Sequence, residues 1–120
     1  MPNSGRYYYR MVLLLAAEPR VRAQLAETLE RLGCVVTAFA GEAEALIWAQ
    51  DEVAELAIVD SLSGSGFGVA LAAQLRHEGV PVMFFDGFDP GSGTLSAEPP
   101  TVPGLSRHLP LPELLDAYLA

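Results

Sequence analysis

The sequence contains no lysine: its seven basic residues are all arginines, set against 15 acidic residues, and the formal net charge is −8. The arginines form no basic run that could follow a phosphate backbone or attract an anionic membrane. The composition therefore argues against nucleic acids and membrane surfaces, and we expect neither as a partner.

Cysteine and histidine are scarce as well, with one and two residues. The lone Cys34 excludes an internal disulfide and a cysteine-based zinc site, and we expect it to pack as a small apolar residue. His77 falls in the last turn of a predicted helix, where a cation is favoured, and is interpreted as a helix residue and not as a ligand. Neither histidine can be assigned to a nucleophile or to an acid–base pair, so we expect that the protein is not an enzyme.

No apolar run reaches the length that is needed to cross a membrane. Arg6 and Arg10 flank the start of an apolar run, Met11–Ala17, that superficially resembles a signal peptide. The run is short, and its removal would leave the helical pattern that follows without a partner strand. We therefore expect a cytoplasmic protein.

Half of the 120 residues are hydrophobic, which predicts a folded chain with a core of its own. Residues 1–8 are assigned to a loose leader and residues 9–120 to a single domain. Apolar runs of strand length alternate with segments of helical periodicity. Strands are predicted over residues 8–16, 34–39, 56–60, 80–86 and, near the end, 102–107; helices are predicted over residues 19–32, 41–50, 68–77 and 110–118.

The alternation of strands and helices predicts an α/β fold with a five-stranded, doubly wound parallel sheet. Glycines and prolines punctuate residues 87–103 too densely for a normal helix. The fourth helix is therefore predicted to be shortened or missing, with at most a short turn over residues 94–98.

Two aromatic features allow more than one interpretation. Tyr7, Tyr8 and Tyr9 could form a stacking patch, but three tyrosines that lead into a strand favour sheet residues. Trp48 is either a residue at the edge of the core or an exposed contact for a partner, and the first interpretation is favoured.

The apolar run Leu56–Val59 ends in a single carboxylate, Asp60, which is followed by a serine- and glycine-rich loop over residues 61–66. Such a run predicts a strand that is buried on both faces. Ligands of open α/β sheets gather at the carboxyl ends of the strands, and this edge should also hold the ends of the first and fourth strands. We expect Asp60 to lie near Ala16, Ala17, Glu18 and Asp86.

At this point the sequence resembles a response-regulator receiver domain, which has a flavodoxin-like fold. The resemblance runs from residue 11 to residue 119, and it rests on the order and spacing of several short segments. These segments are Leu13–Arg22, Leu32-Gly33, Leu56–Asp60, Gly68 and Leu109-Pro110. The resemblance implies a (βα)5 receiver-like domain in two-component signal transduction, with Asp60 at the phosphoacceptor position of a phosphorelay.

In that family Mg²⁺ binds to the phosphoacceptor aspartate, to an acidic pair and to a backbone carbonyl, while a hydroxyl residue and a lysine bind the phosphoryl oxygens. This chain departs from the pattern. The acidic pair maps onto Ala16 and Ala17, the hydroxyl residue onto Asp86 and the lysine onto Leu109. Pro110 is retained, and the resemblance implies a cis Leu109–Pro110 bond.

The departures favour a degenerate receiver, or pseudo-receiver, that signals through phosphorylation-independent protein contacts and uses no cofactor. The expected partner is a histidine kinase or another signalling protein, with a homodimer as a further option. The first alternative is a conventional receiver that is phosphorylated on Asp60. The second is a flavodoxin-like domain that binds a small ligand and uses the loop over residues 61–66 as a phosphate cradle.

A metal site is the weaker alternative for the acidic residues. Glu18, Asp60 and Asp86, with the carbonyl of Leu62, supply hard oxygen atoms of the kind that Mg²⁺ prefers. In the simpler interpretation Glu18 serves only the terminus of its helix, and Asp86 points into the following loop.

Overall fold

The computed structural model describes residues 7–97 and 107–119 as an α/β domain with a six-stranded mixed sheet and four helices. The predicted α/β class is therefore confirmed. The strands are β1 (Met11–Leu15), β2 (Val35–Phe39), β3 (Leu56–Asp60), β4 (Val82–Asp89), β5 (Thr94–Ala97) and β6 (Arg107–Pro110). The helices are α1 (Pro19–Arg31), α2 (Glu42–Asp51), α3 (Val69–His77) and α4 (Leu111–Leu119).

The strand order across the sheet is β2-β1-β3-β4-β5-β6. The first four strands of this order are parallel, whereas β5 runs antiparallel to both β4 and β6. The prediction of an entirely parallel, five-stranded sheet is therefore wrong. The additional strand comes from the region that the sequence assigned to an irregular segment.

That additional strand, β5, occupies Thr94–Ala97, where at most a short turn was predicted. β4 continues to Asp89, and the chain then reverses through a tight turn that ends at Gly93, whose φ is 70°. The carboxylate of Asp89 accepts hydrogen bonds from the Gly91 N–H and the Ser92 hydroxyl inside this turn. Pro90, Gly91 and Gly93, which argue against a helix, therefore lie in the turn of a β-hairpin.

Two predictions about the last part of the chain also need correction. A fifth strand was expected over residues 102–107, of which 102–106 lie outside the described residues. The structure has strand β6 over Arg107–Pro110. The last helix, which was predicted to start at residue 110, therefore starts at Leu111. The described residues contain no cis peptide bond, so the predicted cis Leu109–Pro110 bond is wrong. Pro110 ends an extended strand that pairs with Thr94, and it does not occupy a tight turn.

The core consists of two layers, one on each face of the sheet, because side chains alternate along buried strands. Leu14 and Ile58 pack with α1 and α4 on one face. Leu13 and Val59 pack with α2 and α3 on the other. All five residues of β3 are buried, as its uninterrupted apolar sequence predicts.

Helix α1 shows how closely local sequence signals match the structure. Glu18 is its N-cap and Pro19 its first residue, and Gly33 follows the C-cap with a φ of 102°. Leu25 and Leu29 form the buried stripe of the helix. Cys34, in the strand connection that follows, is buried as predicted, and burial raises the pKa of its thiol to about 11.

The N-terminal aromatic residues do not extend β1, which begins only at Met11. Tyr8 and Tyr9 are exposed, and Tyr9 has a φ of 64°, so the interpretation as sheet residues is wrong for this pair. Tyr7 was assigned to the loose leader, but its ring is buried in the core. Its hydroxyl donates hydrogen bonds to the Pro112 carbonyl, at 3.0 Å, and to the Asp116 carboxylate.

Trp48 lies at the edge of the core on the α2 face, as favoured from the sequence, with its ring 6.1 Å from that of Phe39. Within residues 7–97 and 107–119, the helices are too short or too polar to cross a membrane.

Candidate functional site

Asp60 ends β3 and is the only charged residue that is buried in the described part of the chain, with 6% of its surface exposed. Its Oδ1 atom accepts a hydrogen bond of 2.9 Å from the Leu62 N–H. Asp60 thereby caps a single 3-10 turn over Ser61–Ser63, in the loop that the sequence predicted to follow the strand. The carboxylate is held by its own loop and is not exposed on the rim.

A cleft of about 440 Å³ lies beside this carboxylate. Its walls are formed by the end of β1, the first turn of α1 and the turn after β3. The lining residues are Ala17, Glu18, Val21, Asp60, Leu62 and Ser63. Of the residues predicted to share this edge of the sheet, the cleft therefore brings together Ala17, Glu18 and Asp60, and it also includes Leu62 of the alternative metal site.

Glu18 uses both of its carboxylate oxygens to cap α1. They accept hydrogen bonds of 2.9 Å from the Val21 N–H and 3.2 Å from the Arg20 N–H. These N–H groups, that of Val21 first, lower the pKa of Glu18 below its ordinary value. The geometry matches the simpler interpretation, in which Glu18 serves the helix terminus.

Arg22 is a residue of this site that the sequence did not single out. Its Nη1 atom donates hydrogen bonds to the carbonyls of Ala16, at 2.9 Å, and Ala17, at 3.2 Å. The two alanines, onto which the receiver resemblance maps an acidic pair, thus present their carbonyl oxygens to a guanidinium group. No sequence pattern predicts this contact, because it depends on the direction in which β1 enters α1.

The serine hydroxyls of the loop after β3 fasten the loop to its neighbours. Ser63 Oγ accepts a hydrogen bond of 3.1 Å from the Ala17 N–H, and Ser61 Oγ donates one of 2.9 Å to the Phe85 carbonyl. The turn is therefore attached to the carboxyl end of β1 and to β4. Ser61 thus uses its hydroxyl hydrogen internally, whereas Ser63 uses only an acceptor site of its oxygen.

Asp86 occupies a bulge in β4. Phe85 pairs with Ala97 and Gly87 with Ser96, so Asp86 is the extra residue between two adjacent pairs. Its side chain is exposed and does not line the cleft. The prediction that Asp86 joins the residues of this cleft is therefore wrong.

Leu109, at the position of the family lysine, lies in β6 and packs against the core on the α1 and α4 face. The inserted strand β5 separates β6 from β4. Because neighbouring strands lie about 4.8 Å apart, the insertion moves this position one strand farther from Asp60.

In residues 7–97 and 107–119, no group of three or more His, Cys, Asp or Glu side chains is arranged to hold a metal ion. Glu18 and Asp60 line one cleft with Leu62, but each carboxylate already accepts backbone hydrogen bonds. The residues present therefore do not fit the magnesium site that the receiver resemblance implies.

No family model and no curated protein matches this chain. Any assignment of function therefore rests on the residues and the geometry described above.

Proposed function

We propose that this chain is a degenerate receiver-type domain that acts in signal transduction by contact with another protein, without phosphorylation of Asp60. The parallel strands β2-β1-β3-β4, with helices on both faces, have the order of a doubly wound sheet. Asp60 stands at the carboxyl end of a central strand of this part, as a phosphoacceptor of the family would.

One observation carries the proposal: the polar groups around Asp60 are already engaged in internal hydrogen bonds. Glu18 caps α1, Arg22 binds the carbonyls of Ala16 and Ala17, and Ser63 binds the Ala17 N–H. Phosphoryl transfer needs cations that compensate the charge on the transferred group. The chain contains no lysine, and in residues 7–97 and 107–119 no third His, Cys, Asp or Glu side chain joins the two acidic residues of the cleft. Arg22 is a cation, but its Nη1 atom binds two backbone carbonyls, so the compensating groups of the receiver family are missing.

The edge formed by β5, β6 and α4 supports a role in protein contact. In the receiver family the corresponding face contains a helix that repacks on phosphorylation. Here β5 pairs with β4 on one side and β6 on the other, and such ladders do not permit the same repacking. A constant surface suits a cytoplasmic docking domain for a histidine kinase or another signalling protein.

Incubation with a small phosphodonor and Mg²⁺, followed by mass spectrometry of the intact protein, tests the proposal. We expect no gain of mass in the wild-type chain or in the Asp60→Asn variant. A gain in the wild type that disappears in Asp60→Asn would contradict the proposal, and it would support the alternative of a conventional phosphoacceptor.

The flavodoxin-like alternative has less support. The Ser61 hydroxyl donates its hydrogen to the Phe85 carbonyl, and the carboxylate of Asp60 repels an anion at the same place. We expect no rise in melting temperature with flavins or nucleotides. A clear rise with one of these ligands would favour the alternative.

A further inference from the structure

Strand β2 forms one edge of the sheet and, in the described residues, pairs only with β1. The Val35 N–H donates to the Arg10 carbonyl at 2.9 Å, and the Phe39 carbonyl accepts from the Ala16 N–H at 3.0 Å. Backbone groups of successive strand residues point in opposite directions. The N–H and C=O groups of Val36 and Ala38 therefore point away from the sheet.

The outer edge of β2 lacks the features that keep sheet edges apart. Its sequence, VVTAF, contains no charged residue, proline or glycine. The opposite edge strand, β6, has the sequence RHLP and so contains both an arginine and a proline. Natural sheets protect their edges with charges, prolines or bulges, so β2 is the edge that is open to strand pairing.

The flank of β2 is also apolar. Val35 is 41% exposed, and the half-buried ring of Phe39 lies beside that of Trp48. An apolar flank next to unpaired backbone groups is what strand addition requires, because the backbone gives affinity and the side chains fix the register.

We infer that β2 pairs with β2 of a second copy of the chain, antiparallel and around a two-fold axis at Thr37. In this register Val36 faces Ala38 of the second copy as a hydrogen-bonded pair, which satisfies the outward backbone groups of both residues. Thr37 faces Thr37, and Val35 faces Phe39, as pairs without hydrogen bonds, whose side chains approach more closely.

The register is self-complementary, as a two-fold interface requires. Thr–Thr pairs and pairs of an aromatic with a β-branched residue are favourable across strands. Strand β2 contains no charged residue, so the two paired strands do not repel each other. Both copies carry a net charge of −8, so we expect association to strengthen as salt screens their repulsion. The inference does not depend on the role of Asp60.

Sedimentation of the full chain from micromolar to millimolar concentration tests this inference with charge-swap variants. Each of the variants Thr37→Glu and Thr37→Lys places two like charges opposite each other across the axis, on residues whose Cα atoms lie about 4.5 Å apart. Each variant should therefore remain monomeric at concentrations where the wild type dimerises. An equimolar mixture of the two variants should recover the dimer, because opposite charges then face each other. The control, Val69→Glu, changes an exposed residue at the start of α3 and should dimerise like the wild type.

Amide hydrogen exchange locates the contact. The Val36 and Ala38 amides should exchange more slowly as the protein concentration rises, and this protection should be lost in Thr37→Glu. The inference would be overturned if the wild type stayed monomeric at all concentrations and salt levels, whatever the exchange rates of the Val36 and Ala38 amides. A Thr37→Glu variant that still dimerises, or a mixture of folded variants that remains monomeric, would overturn it as well.

Discussion

Asp60 and Glu18 are two carboxylates in one cleft with different surroundings. Asp60 is buried and accepts one hydrogen bond from the turn that it caps, whereas Glu18 is exposed and accepts bonds from two N–H groups of α1. Both carboxylates stabilise the backbone that follows them. These structural roles account for both acidic residues of the cleft without a catalytic or metal-binding role.

The role of Glu18 makes a prediction about pH. Since N–H groups of α1 lower its pKa below 4.5, ionised Glu18 stabilises the fold above that value, and this stabilisation is lost as the pH falls through the lower pKa of the folded state. We expect Glu18→Gln to lower the melting temperature at neutral pH. The difference from the wild type should close as melting is measured down to about pH 3.

Glu30→Gln provides the matched control, since Glu30 is an exposed acid near the other end of α1, where no free N–H group is available to it. This variant should not lower the melting temperature at neutral pH. A Glu18→Gln difference that stays constant at all pH values would show that the capping bonds to the ionised form are not its cause.

At the scale of the elements, the start of α3 fixes how this helix meets β3. Gly68 is the N-cap of α3 and has a φ of 80°. A Cβ atom there would lie 2.5 Å from Val59 Cγ1, a buried side chain of β3. The position therefore needs glycine both for its backbone conformation and for the space beside the sheet.

We predict that Gly68→Ala destabilises the protein by about 2–4 kcal/mol, from the cost of the left-handed conformation and from overpacking. Gly79 has a similar φ of 84° but no neighbouring atom within 4 Å of an added Cβ. Gly79→Ala should therefore cost only about 1 kcal/mol. Urea denaturation of both variants measures the two losses, and equal losses would argue against close packing of Gly68 on Val59.

For the whole molecule, the two core layers share one sheet. Leu13 and Leu14 are neighbours in β1 but belong to different layers, and β3 contributes to both in the same way. Tyr7, which precedes β1, is linked to α4 by hydrogen bonds to Pro112 and Asp116. Loss of either layer would expose strands that the other layer needs.

We therefore predict a single cooperative unfolding transition. Trp48 is the only tryptophan, and it reports on the α2 face, whereas far-UV circular dichroism reports on all helices and strands. The two signals should give the same midpoint in thermal unfolding. An earlier change in Trp48 fluorescence would show that the α2 and α3 layer unfolds separately.

The sequence by itself determined those elements whose signals are local. The cap and stripe of α1, the buried strand β3 and the final turn of α3 with His77 follow from residues within the element. It also predicted that Asp60 lies near Ala16, Ala17, Glu18 and Asp86, because alternating strands and helices bring the carboxyl ends of parallel strands together. The cleft unites Asp60 with Ala17 and Glu18 but does not include Asp86. The missing lysine is likewise a property of composition alone.

Only the tertiary structure decided the features that depend on partners far along the chain. Thr94–Ala97 becomes a strand because β4 and β6 hydrogen-bond to both of its edges, and Asp86 lies in the bulge between β4 and β5, outside the lining of the cleft. Tyr7 is buried in the core and binds to α4, more than 100 residues away along the chain. Neither strand pairing nor packing between distant segments is encoded in local periodicity, so these parts of the fold and site required the assembled molecule.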